Sequence, residues 1–499
     1  MSVDGAPQKP PRPGRRLIKR FALGAFMIAA LSAGATATAG LLEVKDVATI
    51  ISKGDKIEGI DNVLDSVEGG GPQTILLVGS DRRFADIKSK APARSDTLML
   101  VRLDPSKEAT AVMSLPRDLK VQIPGYGTNK INAAYAFGGA KLTVETIKQL
   151  FHFPINHVVN VNFGGFQRAV NRLGCVYVDV DRKYFNDNNP PNGSATNYAA
   201  IDIDAGYQKL CGSDSLDYVR YRHFDDDFVR AARQQGFLRQ AKDQFGLGKL
   251  FGSRKELLRI FSAYTQTDIR SSAAILKLLK LAFDASRHPI RTVHFDAGIT
   301  PDLEYAEISE ANFAKARDEF LNARASAGPP PTSKKKTTKA TKKKAKKTSP
   351  GLAPGLIRDK LNAEDFVADA STRTGFPVYY PSARLAKGSY AKEHPRVYDI
   401  FDRSHHKYRA YRMVVYAGDI GQYYGIQGMT WSAPPILDNP SETRKIGGRT
   451  FELYFDGQRL RLIALRTPKA VYWVANTLSQ DLTNKQMLGI ASSLRKVGS

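Results

Sequence analysis

The chain has 499 residues, long for one domain and in the range of two or three. Its 74 Lys plus Arg outnumber 49 Asp plus Glu, and the formal charge of +25 favours polyanionic partners: nucleic acid, anionic lipid or acidic polymers. No Walker-type loop, zinc-ligand spacing or G-x-S-x-G elbow occurs, which removes the enzyme classes that need them.

The amino-terminal segment predicts the compartment. Residues 1–20 form a basic tail, with Arg15, Arg16, Lys19 and Arg20 just ahead of an apolar run. Residues 21–42 supply 22 uncharged positions, and a bilayer-spanning helix needs about 20. The basic flank keeps the N-terminus cytoplasmic, so a single-pass cell-membrane protein with its later domains extracytoplasmic is expected. A cleavable signal peptide is the alternative, because Ala35 to Ala39 offer small residues suited to cleavage. Either reading exports the rest. Residues 43–71 then read as an extracytoplasmic spacer.

Between 72 and 327 strands and helices alternate. The apolar run Gln73 to Val78, ended by Gly79-Ser80-Asp81, reads as a buried strand and a turn. Arg94-Ser95-Asp96-Thr97 leads into a second strand, Leu98 to Arg102. Thr110 to Leu115 is a third and ends in Pro116-Arg117-Asp118. Helices are expected at 129–137, 143–150 and 163–173, and strands at 157–161 and 175–180. Residues 186–197, rich in Asn, Pro, Gly and Ser, read as a surface loop. This alternation argues for an α/β domain, a central mixed sheet flanked by helices as an α-β-α sandwich. Ligands in such open sheets bind at loop-lined strand ends.

The densest chemistry lies between Asp217 and Gln235. Read as a strand, Asp217 to His223 puts Arg220 and Arg222 on one face. A helix from about Asp226 would stack Asp227, Arg230 and Gln234 on one side. Guanidinium forks suit bidentate recognition of phosphate or carboxylate oxygens, so a diphosphate is the expected guest. The plain alternative is a solvated charged helix edge. Asp81 and Asp96, at strand ends, match the one or two carboxylates that magnesium takes beside water and substrate phosphates. Either aspartate alone is equally a turn or capping residue. The pattern stays helical over 234–285, where the amphipathic run 273–283 packs on the sheet or lines a groove for a lipid chain.

Several of these segments together carry a family resemblance. Gly79-Ser80-Asp81, Arg94-Ser95-Asp96-Thr97, Ser114-Leu115-Pro116-Arg117-Asp118, Lys130-Ile131-Asn132-Ala133-Ala134-Tyr135, Val161-Asn162-Phe163-Gly164-Gly165-Phe166, and Arg220 through Asp227, Arg230 and Arg233-Gln234-Gln235 occur in the order seen in the LytR-CpsA-Psr family. The resemblance covers roughly residues 72–250. It implies an extracytoplasmic, membrane-anchored phosphotransferase that moves a glycopolymer from a polyprenyl-diphosphate carrier to peptidoglycan or a related wall glycan. It further implies magnesium (or manganese) at Asp81 and Asp96, catalytic roles for Asp81, Asp96 and Arg117, and diphosphate binding by Arg117, Arg220, Arg222, Arg230 and Gln234.

Cys175 and Cys211 are the only cysteines, and in an oxidising compartment an isolated pair favours a disulfide. Closing that loop is worth roughly 3–4 kcal/mol on the chain-entropy model; two free buried thiols are the alternative. Residues 328–350 form a Lys- and Pro-rich linker, in which Lys334 to Lys347 hold nine lysines and no acid. Such a segment builds no core and serves as a tether or a contact for anionic lipid or wall polymer.

Residues 351–499 read as a smaller α+β domain of open role. Arg449 to Phe455, then Asp456-Gly457, then Gln458 to Ala464 is a hairpin signal. Val471 to Val474 suggests another strand, and 484–494 a closing helix. His405 and His406 would face opposite ways in a strand, which argues against a metal site there. Tyr379, Tyr380, Tyr423, Tyr424 and Trp431 form either a sugar-stacking face or core.

The expected protein is therefore a transferase acting on a polyprenyl-diphosphate-linked glycopolymer, with membrane and wall glycan as partners and no nucleic acid. A non-catalytic, membrane-anchored binder of wall polymer or lipid carrier is the second reading. A DNA-binding regulator is the third, opposed by the spanning segment and the cysteine pair.

Overall fold

The computed structural model describes residue 49 and residues 57–66, 71–80, 95–107, 109–187, 200–221, 227–245, 254–269, 281, 288–295, 297–300, 305–323, 352–419 and 421–499. The apolar run 21–42, the linker 328–350 and all of 273–283 except Leu281 lie outside them. Among the described residues no helix is long and apolar enough to cross a membrane.

The first domain is built on a six-stranded mixed sheet. Its strands are β1 (Gln73–Ser80), β2 (Ser95–Leu103), β3 (Thr110–Leu115), β4 (His157–Asn162), a short β7 (Thr265–Thr267) and β8 (Ile290–Val293), in the order β7-β4-β1-β2-β3-β8. β1 runs parallel to β4 and β3 to β8; the other pairings are antiparallel. All six positions of β3 are buried, as happens when a strand is covered on both faces. Helix α1 (Ile131–Phe151) spans both helices expected at 129–137 and 143–150, and its backbone leaves helical geometry at Gly138 and Gly139. Gly139 has φ of 61°, open to glycine at little cost.

Beside this sheet stands an antiparallel pair, β5 (Val176–Val180) and β6 (Gly206–Leu210), enclosed by α2 (Phe163–Leu173), α3 (Gly212–Arg220) and α4 (Asp227–Gln244). Leu210 pairs with Val176, so Cys211 and Cys175 meet just beyond the pair and are disulfide-bonded at 2.08 Å. One expected element is corrected here. Asp217 to Arg220 is helical, not extended: α3 buries Gly212, Ser215, Leu216 and Tyr218, the spacing of a helix face. Arg220 is therefore a helix residue, and Arg222 lies outside the described residues.

The second domain is dominated by an eight-stranded antiparallel sheet. It comprises β9 (Arg396–Phe401), β10 (Lys407–Tyr416), β11 (Tyr423–Met429), β12 (Glu442–Ile446), β13 (Arg449–Asp456), β14 (Arg459–Arg466), β15 (Val471–Ala475) and the two-residue strand Ser389–Tyr390. The Asp456-Gly457 hairpin forms between β13 and β14, with Gly457 at φ of 64°. Helix α5 (Asn484–Ser492) begins with a capping box: Thr483 and Gln486 each satisfy the other's backbone N–H. His405 and His406 are not in a strand. They occupy the turn between β9 and β10, where Asp402 accepts from the His406 and Ser404 backbone. Tyr380 and Tyr424 are fully enclosed and Trp431 nearly so, which makes them core residues.

The two domains share a hydrophobic cluster. Tyr177 and Tyr207 of the first pack against Tyr398, Trp431 and Trp473 of the second. Inside it Asp179 accepts from Arg412 at 2.9 Å and from the Trp473 indole at 3.0 Å. Arg412 is 1% exposed. A second buried pair, Arg239 with Asp456 at 2.5 Å, also crosses between the domains. Burial pushes the Asp456 carboxyl up, but the Arg239 guanidinium and the Gln480 amide outweigh it and hold it below the usual carboxylate range.

Candidate active site

One end of the mixed sheet gathers the functional residues. The register pairs Ser80 with Asn162 and places Ser95 opposite Ser80, so β1 and β4 finish where β2 begins. Leu98 faces Leu115, which puts the end of β3 there too. Asp96 lies in β2 at that end, beside the register shift at Gly79 and Ser80. Asp81 follows Ser80 in sequence but is outside the described residues, as is the Asp96 side chain. The backbone thus places one carboxylate-bearing position, Asp96, at this sheet end beside the end of β1. Among the described residues no group of three or more His, Cys, Asp or Glu gathers.

Arg117 is set by a tight turn. Leu119 N–H donates to the Pro116 carbonyl, and the first N–H groups of α1 donate back to this turn: Ile131 to Leu119 and Asn132 to Arg117, at 2.9 and 3.1 Å. These bonds serve helix-end donors that would otherwise lack partners. The Arg117 guanidinium stands 3.6 Å from Asp118, which it shares with Lys130 at 3.5 Å. Tyr135, one turn along α1, accepts from Asn160 of β4 at 2.6 Å. That bond ties the helix to the sheet.

Arg220 ends α3. Its guanidinium lies over the Phe163 ring, 5.1 Å from the centroid, and 3.6 Å from Asp217. Burial pushes the Asp217 carboxyl up, and Arg220 only partly offsets this. Phe163 opens α2, whose N-terminus is capped by Asn162 accepting from Gly165 N–H at 2.9 Å. The positive end of that helix adds to the field of Arg220.

Arg230 and Gln234 are one turn apart on α4, 4% and 9% exposed; the Asp227 side chain is not described. Gln234 donates to the Thr97 hydroxyl at 2.9 Å and to the Val219 carbonyl at 3.1 Å. It therefore fastens the start of β2 to the end of α3. Sequence reasoning passed over Arg233 as a site residue. Fully buried, it donates to the carbonyls of Tyr218 and Tyr221 at 3.0 and 2.9 Å and lies over the Tyr184 ring at 4.6 Å. It holds the end of α3, and so the position of Arg220. The signal was its spacing, three residues beyond Arg230 and flush against two glutamines.

The LytR-CpsA-Psr family model matches residues 39–312, more than half of the chain. The chain is 30% identical over 230 residues to the polyisoprenyl-teichoic acid–peptidoglycan teichoic acid transferase TagU of Oceanobacillus iheyensis, covering 44% of this chain and 66% of that protein. It is 31% identical over 214 residues to the transferase TagT of Bacillus subtilis, covering 43% and 65%. It thus spans just under two thirds of the length of either relative. The crystal structure of Bacillus subtilis TagV is 26% identical and covers 51% of this chain and 97% of that one, with a TM-score of 0.40.

Proposed function

We propose, from the premise that this chain belongs to the LytR-CpsA-Psr family, that it transfers a glycopolymer from a polyprenyl-diphosphate carrier to peptidoglycan or a related wall glycan. The convergence of Arg117 and Arg220 on one sheet end, beside the capped N-terminus of α2, carries this reading. Among the described residues Arg117 stands 3.6 Å from Asp118 and Arg220 3.6 Å from Asp217, and guanidinium forks suit the oxygens of a diphosphate.

In the reaction a hydroxyl oxygen of the acceptor attacks the sugar-linked phosphorus. A new P–O bond forms, the bond to the bridging oxygen breaks, and polyprenyl phosphate leaves. The hydroxyl proton passes to a base, for which Asp81 and Asp96 are the candidates. Arg117 and Arg220 orient the diphosphate and stabilise charge growing on the leaving phosphate, where preorganised electrostatics does most of the catalysis. Arg222 and Arg230 belong to the same set in this reading. Magnesium held by Asp81 and Asp96 would supply further charge neutralisation. The names of the relatives point to a wall polymer such as teichoic acid. Residues 21–42 would anchor the chain, with both domains outside the membrane.

The test is release of polyprenyl phosphate from a polyprenyl-diphosphate sugar by the full chain, with and without magnesium. Magnesium-dependent release, lost in Arg117→Ala and Arg220→Ala, is expected. Tight binding without release, wall fragments included, would instead indicate a carrier-binding protein.

A further inference from the structure

A cleft of about 830 Å3 runs between the two domains. Its first wall includes the end of β3 with Ser114 and Pro116, α4 through Ala231 and Gln235, and the end of β8 with the chain beyond it. The first two of these elements carry Arg117 and Arg230, so the cleft adjoins the sheet end described above. Its second wall belongs wholly to the carboxy-terminal domain and includes Asp419, Gln422, Ser479 and Asp481.

Two enclosed polar atoms, one on each wall, have no hydrogen-bond partner among the described residues. They are the Ser114 hydroxyl and the Gln422 carboxamide oxygen. Ser114 is 4% exposed and Gln422 7%. The Gln422 amide nitrogen is already engaged, donating to Ser479 at 2.9 Å. An unmet buried polar group costs about 1–3 kcal/mol, and a ligand with hydroxyl or amide groups would remove that cost at both positions. The charge of the second wall narrows the choice. Asp419 and Asp481 face the cleft, and Arg459 beside them donates to the Gln480 carbonyl at 2.8 Å. Asp419 is itself paired with Lys387, so with Arg459 the wall is close to neutral, which suits an uncharged, hydroxyl-rich sugar chain.

We propose that this interdomain cleft is a saccharide site, in which Ser114 and Gln422 complete their hydrogen bonding on sugar hydroxyl or acetamido groups. Forming its far wall is then the role of the carboxy-terminal domain. The proposal rests on the phosphotransferase reading only for the source of the sugar, which is either the acceptor glycan or the glycan on the carrier.

The experiment titrates the full chain in detergent micelles with a soluble N-acetylglucosamine oligosaccharide. A parallel titration uses a short-chain polyprenyl-diphosphate N-acetylglucosamine. At least one probe binds, and Ser114→Ala and Gln422→Leu each weaken it about tenfold or more while the Ser114→Ala melting temperature holds or rises. Binding of the oligosaccharide assigns the cleft to the acceptor; binding of the carrier-linked sugar alone assigns it to the donor. If Gln422→Leu does not fold, Ser114→Ala decides. The proposal falls if neither probe binds, if the folded variants bind as the native chain does, or if a glycerol-phosphate oligomer binds more tightly than either. Polyprenyl phosphate release, measured on the same preparations, keeps the two ideas apart. Release without variant-sensitive sugar binding sinks the cleft alone, and sugar binding without release sinks the phosphotransferase alone.

Discussion

Arginine does opposite jobs in two regions of this molecule. Between the domains Arg412 is buried against Asp179 at 2.9 Å, and Arg239, 12% exposed, meets the buried Asp456 at 2.5 Å. At the sheet end Arg117 and Arg220 keep some exposure and stand 3.6 Å from their acids. A guanidinium clamped by an internal carboxylate has its fork occupied and joins parts of the chain. One that stands at a sheet end with part of its side chain exposed can meet an incoming anion. Placement and distance, not residue type, separate joint from site.

The sharpest way to break this contrast is at Arg412. Arg412→Ala leaves Asp179 buried with, among the described residues, the Trp473 indole as its carboxylate's donor, and removing one member of a buried pair costs about 3–5 kcal/mol. Chemical denaturation should show that loss. An Arg412→Met, Asp179→Leu double variant should recover much of it, because an apolar pair avoids the desolvation of both charges. Arg220→Ala should do the reverse. Release of polyprenyl phosphate drops about 10²–10³-fold, the usual effect of deleting a preorganised charge-stabilising donor. Stability changes by no more than about 1 kcal/mol, the scale of its contact with Phe163. Equal effects of the two substitutions on both readouts would erase the distinction.

Arg233 lies between the two classes, buried like a joint but gripping the end of the helix that carries Arg220. Arg233→Lys keeps the charge but gives up the planar guanidinium that lies over the Tyr184 ring. It should cost about 1 kcal/mol in stability and roughly tenfold in release, the loss expected from a misplaced rather than a missing group. The gentlest probe is acid. Asp456 titrates below an ordinary carboxylate because of Arg239, so its contribution is full above that ordinary value and fades as pH falls through the lowered one. The stability advantage of the native chain over Asp456→Asn, measured by denaturation, should therefore be constant near pH 7 and shrink below about pH 4.

How much of this could be read beforehand depends on the range of the forces involved. Gln73 to Val78 and Thr110 to Leu115 were legible because a strand covered on both faces needs an unbroken apolar run. The Asp456-Gly457 turn was legible because its backbone demand is local. Asp217 to Arg220 misled: alternating Tyr218, Val219, Arg220 and Tyr221 look extended, while burial of Ser215, Leu216 and Tyr218 against neighbouring elements makes them helical. The motifs around Arg117, Arg220 and Gln234 brought the right segments to attention. Their division between ligand-facing and internally bonded side chains could not be read, since the partner of Gln234 is Thr97, far along the chain. Nothing near Asp179 announces Arg412, 233 positions away.

That separation has a consequence for how the protein comes into being. A chain is synthesised from its amino end, so the first domain appears while Arg412, Trp431 and Trp473 are not yet made. During that interval Tyr177 and Tyr207 lack their aromatic cover, and Asp179 is wetted rather than paired. Water is cheap company for a carboxylate but poor company for two tyrosine rings. The newborn first domain is thus most exposed to sticking to the wrong neighbour on the side its own later half will cover. The carboxy-terminal sheet, whatever sugar its outer wall meets, is also the cap that ends this exposure.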